Sequence, residues 1–169
     1  GEDEGALNLA LKRNRYLEEA RTNYRRPIAF DRWETPNQNF DRHTYEKGAA
    51  VLHMLRWQMG DQDFQRAMSH FLKKHSFQSV DTHDLLMAIR ESTGQVRDAF
   101  IDQWIRQAGH PVFDVRWEWL EAERAVRLTV VQKQTPFFET PVDISVTTTT
   151  GKRVGRRQIG KREREVFLI

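Results

Sequence analysis

The chain has 169 residues, of which 30% are charged and 38% apolar, with no cysteine and a net charge of +3. That length can bury one good core or two small ones. The missing cysteines exclude disulfide scaffolds, cysteine-ligated zinc and thiol catalysis together, and no apolar run approaches the ~20 residues of a membrane span.

The charge is unevenly spread. Residues 1–110 carry 16 basic and 16 acidic groups, whereas residues 111–169 carry 11 and 8. The apolar share is low for a self-sufficient globule, which suits a piece that packs against other parts of a larger protein. The N-terminus is acidic and polar, unlike a signal peptide.

Residues 1–26 are predicted as a helix, with Leu7, Leu11, Leu17, Ala20 and Tyr24 near helical spacing. Pro27 ends it. From Pro27 to Thr44 periodicity vanishes, and Trp33-Glu-Thr-Pro36-Asn is turn chemistry. A loop of this length is functional or disordered, and its Phe30, Trp33 and Phe40 argue against disorder.

Four helices follow. Residues 45–59 present Ala49, Leu52, Leu55 and Met59 on one face, with Gly60 as the cap. Asp61 opens a second, striped by Phe64, Met68, Phe71, Leu72 and His75. Asp81 or Thr82 caps a third, which turns Leu85, Leu86 and Ile89 inward and stops at Gly94. Residues 96–108 form the fourth, with Val96, Phe100 and Trp104 at four-residue steps, and Gly109-His110-Pro111 stops it.

After Pro111 the period changes to two. Phe113, Val115, Trp117 and Trp119 alternate with polar residues and are expected in a sheet core. Val126–Val130 and Pro141–Val146 repeat the pattern, Gly151 marks a hairpin, and Val166–Ile169 starts another apolar run. Ending on an apolar strand is unusual for a natural chain, so the sequence is expected to be an excised fragment with more chain beyond both ends.

The segment Asp41-Arg-His-Thr-Tyr45-Glu-Lys-Gly48-Ala49-Ala50 sets one tyrosine at the threshold of an amphipathic helix. By itself Tyr45 is a ring packed on a helix with its hydroxyl in water. Its setting is an ordered series: Tyr24-Arg-Arg-Pro27, Phe40-Asp41, Tyr45-Glu-Lys-Gly48-Ala49, Leu52-His-Met54-Leu55, Gly60-Asp-Gln-Asp-Phe64 and Val80-Asp81-Thr82. Phe100, Gln103-Trp104, Gln107-Ala-Gly109-His-Pro111 and Val126-Arg-Leu128 with Gln132 complete it. Across essentially the whole chain this series resembles the aminopeptidase N family of zinc metallopeptidases, which includes leukotriene A-four hydrolase.

The resemblance implies an α+β multidomain fragment. Residues 1–110 would be an all-helical lobe, the C-terminal portion of a thermolysin-like catalytic domain, and residues 111–169 part of an antiparallel β-sandwich. It implies a parent that hydrolyses N-terminal peptide bonds with zinc, and a catalytic role for Tyr45 alone, as donor to the oxyanion of the tetrahedral intermediate. Gly48, lacking a Cβ, would let another segment approach; Glu46 and Lys47 are given no role and could equally be solvated charges at the helix start. No HExxH motif is present, so this chain is expected to hold neither zinc nor any other cofactor and to be inactive alone. The implied partners are a peptide substrate for the parent and the missing upstream catalytic lobe.

Of the six histidines, His70 and His75 do not share a helical face, the others are scattered, and His53 is placed beside the helix stripe. The basic segment from Lys152 to Arg164 is broken by Glu163 and holds no aromatic residue, which favours the polar face of exposed strands over a nucleic-acid surface. Neither a nucleic-acid nor a membrane partner is expected. Oligomeric state stays open, as does the compartment, between bacterial cytoplasm and periplasm. The alternative to the enzyme is a non-catalytic scaffold of the same fold, such as one subunit of the general transcription machinery. Tyr45 would then be a packing residue.

Overall fold

A computed structural model describes residues 2–149 and 151–169. The chain divides into two compact units, Gly1–Gly109 and His110–Ile169. The first is helical. Helix α1 covers Glu2–Thr22 and stops short of Pro27, which frees Arg26 to turn inward. A short 3-10 turn at Pro36–Asn39 breaks the long loop. A wide turn over His43–Lys47 leads into α2, Gly48–Met59.

Gly60, at φ +83°, both ends α2 and starts α3, Asp61–Lys74. Helix α4, Thr82–Thr93, opens with a reciprocal cap: the Asp81 carboxylate accepts from the Asp84 N–H while Asp84 accepts from Asp81 N–H. The helix closes on Gly94 at φ +72°. The expected helix over residues 96–108 is shorter: α5 is Asp98–Ile101, continued by a second wide turn, Asp102–Arg106. Among the described residues no helix is long and apolar enough to cross a membrane.

The buried face of α2 matches the expected one at Leu55 and Met59 and departs from it at Leu52. Val51, Leu55 and Met59 are inside, at four-residue steps, while Leu52 and His53 are exposed. Stepping back by four gives Lys47 and then His43, which are also buried. The wide turn continues the inward row of the helix, which therefore includes a lysine and a histidine. Tyr16 and Ala20 of α1, Ala67 of α3, Leu86, Ala88 and Ile89 of α4, and Phe100, Ile101 and Trp104 complete this core. Between α1 and α2 runs an open groove of about 990 Å³ with Leu9, Ala10, Ala49, Ala50, Met54 and Trp57 in its walls.

Among its described residues the second unit holds five antiparallel strands. β1 (Phe113–Leu120), β2 (Ala125–Gln132) and β5 (Arg164–Leu168) form one sheet with β2 central; β3 (Thr140–Thr148) and β4 (Gly151–Ile159) form a hairpin. Both sheets feed one core, in which Leu128, Val130 and Ile159 are packed by Phe113, Val142, Ile144 and Phe167.

Phe113 lies against that core, but the expectation for the rest of its row is overturned. Trp117 is 71% exposed, and Val115 and Trp119 are exposed as well. The reason is that β1 is an edge strand whose tryptophans flank an open cleft, about 360 Å³, facing Ile144, Val146 and Ile169. Polar bonding inside this unit centres on Gln132. Its amide N–H groups donate to the carbonyls of Phe138, Gly160 and Arg162, and its Oε1 accepts from the Phe138 N–H at 2.9 Å. The basic segment carries partners on the surface: Arg156 pairs with Asp143 and Arg162 with Glu165.

Candidate functional site

Backbone bonds hold the wide turn: Tyr45 N–H and Glu46 N–H reach back four residues, to the carbonyls of Asp41 and Arg42. Lys47 N–H reaches back five, to Arg42 at 2.9 Å. One extra residue in a helical turn is a pattern found most often at functional sites. Four-residue spacing puts His43 and Lys47 on the inner face and leaves Tyr45 between them on the outer one. Tyr45 is 56% exposed. Its ring stands 6.2 Å from that of Phe40, also exposed, and among the described residues its hydroxyl has no hydrogen-bond partner.

Beneath the turn lies a dense polar network. The Arg26 guanidinium is buried and grips Asp41 with two bonds, Nε to Oδ2 at 2.8 Å and Nη2 to Oδ1 at 2.5 Å. Its remaining N–H groups go to Thr44 Oγ1 and to the carbonyls of Pro27 and Ile28, and its face covers the Phe30 ring at 5.3 Å. Asp41 Oδ1 also accepts the N–H groups of His43 and Thr44, 3.0 Å each, and Oδ2 accepts the Tyr24 hydroxyl at 2.7 Å. Asp41 thereby caps the turn that carries Tyr45. Burial pushes its carboxyl up, yet the bonds from Arg26, Tyr24 and Thr44 outweigh that and hold it below its ordinary value.

His43 is fully buried, stacked on Tyr24 and edge-on to Tyr16, each at 5.1 Å. Its Nδ1 lies 2.9 Å from Glu19 Oε1, so Nδ1–H donates to that carboxylate. Among the described residues Nε2 has no partner, which suits the neutral ring. Burial pulls its pKa down, and the Glu19 bond and the Asp41 charge only partly offset this.

No local spacing in the sequence marks the gathering of Glu19, Asp41 and His43, because Glu19 and His43 stand 24 residues apart. Lys47, given no role by the sequence, is not solvated but 3% exposed. The close approach expected at Gly48 is not made by any described residue: a Cβ there would meet nothing within 4 Å.

The family profile described as "Peptidase family M1 domain" matches residues 5–104. The chain belongs to peptidase family M1. Among its relatives, Tricorn protease-interacting factor F2 of Thermoplasma volcanium is 31% identical over 124 residues, covering 69% of this chain and 15% of that protein. Aminopeptidase M1-A of Oryza sativa subsp. japonica is 30% identical over 110 residues, 60% of this chain and 12% of the relative. Aminopeptidase N of Lactococcus lactis subsp. lactis is 35% identical over 68 residues, 40% and 8% respectively. This M1 chain thus spans a small part of the length of the relatives it matches. In fold it is similar to aminopeptidase A of Legionella pneumophila, solved in complex with aspartic acid: TM-score 0.66, 19% identity, 81% of this chain and 16% of that one.

M1 aminopeptidases are zinc-dependent in general, which makes Glu19, Asp41 and His43 worth testing as ligands; their donor atoms lie within 4.8 Å of one another. They do not fit zinc. Asp41 is already neutralised by the buried Arg26 cation, which a dication would have to approach closely, and His43 Nδ1 spends its proton on Glu19. The cluster is a hydrogen-bonded network built around the Arg26–Asp41 ion pair.

Proposed function

We propose that this chain is part of a zinc-dependent aminopeptidase that hydrolyses N-terminal peptide bonds, and that its contribution to the chemistry is Tyr45. Residues 1–110 form the C-terminal portion of the thermolysin-like catalytic domain, and residues 111–169 belong to a β-sandwich spacer. The zinc and its ligands lie in sequence this chain does not contain, so the chain alone is inactive. The upstream catalytic lobe is its partner, and the apolar groove between α1 and α2 supports that docking.

Tyr45 carries the reading. In a chain of family M1, its hydroxyl stands free on the outside of a turn whose inner residues are locked. An O–H donor held still is what a developing oxyanion requires, since no reorganisation is needed as charge forms. The hydroxyl would donate to the oxygen of the attacked carbonyl as the tetrahedral intermediate forms. One such donor is worth about 3–4 kcal/mol, or 10²–10³ in rate.

The test is Tyr45→Phe in the intact peptidase. The thermal transition stays in place while kcat falls by about 10²-fold or more; wild-type turnover removes Tyr45 from the mechanism. A second reading draws on the relative named Tricorn protease-interacting factor F2. Its name says that it interacts with the Tricorn protease; a non-catalytic scaffold of the same family is the alternative for this chain, and an intact protein without peptidase activity would decide for it.

A further inference from the structure

Lys47 sits on a helical row that is otherwise apolar towards α2, ahead of Val51, Leu55 and Met59. Methionine would fill that place without taking an ammonium out of water, so packing does not account for a lysine. Burial, followed by the nearby Arg26 charge, lowers its pKa to about 8, and no carboxylate contributes to holding the charge there.

Two contacts depend on the head group. Nζ donates to the carbonyl of Gln107 at 3.4 Å, and it stands 5.9 Å from the centre of the Tyr16 ring, within reach of a cation–π attraction. Both anchors are themselves fixed. Tyr16 is buried and its hydroxyl donates to the Gly109 carbonyl at 3.4 Å, while Ala29 N–H bonds the Ile105 carbonyl at 3.1 Å, just before Gln107.

We infer that Lys47 is a positioning residue: by holding Gln107 and Tyr16 from the inside of the wide turn, it sets where the Tyr45 side chain stands on the outside. The link is short. Lys47 N–H closes the turn onto Arg42, so a rotation that withdraws Lys47 swings Tyr45 by the same angle. The inference rests on the reading of Tyr45 as the oxyanion donor.

The decisive variant is Lys47→Met, with two readouts. In this chain, amide hydrogen exchange at residues 45–48 is expected to quicken at least tenfold while the amides of α3 and α4 keep wild-type rates. The melting temperature should not fall, because methionine is the better core residue. In the intact peptidase kcat drops at least tenfold with KM within twofold, and Lys47→Arg, which keeps the cation, restores part of it. Wild-type exchange at residues 45–48 together with wild-type kcat would overturn the inference, as would a global loss of stability with uniformly faster exchange. Tyr16→Leu, which removes the ring and leaves Lys47 in place, is the second variant should Lys47→Met not fold; it is expected to quicken the same amides, and unchanged amides there count against the anchor. If Tyr45→Phe turns over normally while Lys47→Met loosens the turn, the catalytic reading falls and the anchor stands.

Discussion

Arg26 and Asp41, fifteen residues apart, meet in a two-pronged ion pair whose side chains are 6% and 9% exposed. The same carboxylate caps the turn that carries Tyr45, so one buried pair couples the end of the α1 segment to the candidate catalytic side chain.

Breaking that pair from one side leaves a buried charge alone. Asp41→Ala is expected to cost about 3–5 kcal/mol in urea unfolding. The double variant Arg26→Met/Asp41→Leu, which removes both charges, should recover at least half of that loss. Equal losses in the single and double variants would show that the caps, not the ion pair, stabilise the turn.

His43 predicts a loss of stability in mild acid. Its unfolded-state pKa is about 6.5, and burial holds the folded value lower. Between the two the unfolded chain binds more protons, so stability is lost as pH falls below about 6.5 and is unaffected above it. The slope is at most about 1.4 kcal/mol per pH unit. Unfolding free energies at pH 7.5 and 5.5 check this against His43→Gln, which should lose distinctly less; parallel losses would assign the effect to other groups.

Gln132 makes a third prediction, in the β unit. Replacing it by leucine removes one partner each from the Phe138 N–H and from the carbonyls of Phe138, Gly160 and Arg162, of which Gly160 keeps the Arg162 N–H at 2.8 Å. Desolvated groups left unpaired each cost about 1–3 kcal/mol, less whatever water recovers, so Gln132→Leu should destabilise the strand unit by roughly 2–4 kcal/mol. A change below the error of a urea titration would mean that the amide is replaceable.

Local signals in the sequence carried most of the elements. Gly60 and Gly94 mark their helix ends through positive φ, and Asp81 caps α4. Two-residue alternation finds the strands, because a strand's faces are set by the chain itself. The faces that depend on neighbours were less legible. Leu52 and Val51 are interchangeable in a periodicity count, and only the wide turn before α2 decides that Val51 goes inside. Trp117 alternates like a core residue, but its strand is an edge, and edge position is a property of the whole sheet. The site divides the same way. Tyr45 stood out through its neighbours in sequence, whereas Arg26, Asp41, Glu19 and His43 meet only after the loop has folded back. The inward turn of Lys47 contradicts what its charge suggests.

Tyr16 and Gly109 are 93 residues apart and share a hydrogen bond, and Lys47 reaches Gln107 across 60. The helical unit is thus fastened at its own two ends. Local helices form early and fast, but joining the ends of so long a loop carries a closure entropy that grows with its length. The contacts of Tyr16 and Lys47 with the far end of the unit are therefore costlier to close than the Arg26–Asp41 pair, fifteen residues apart, that caps the turn of Tyr45. A chain interrupted before Gln107 would keep that cap and leave the Lys47 ammonium without the carbonyl it donates to.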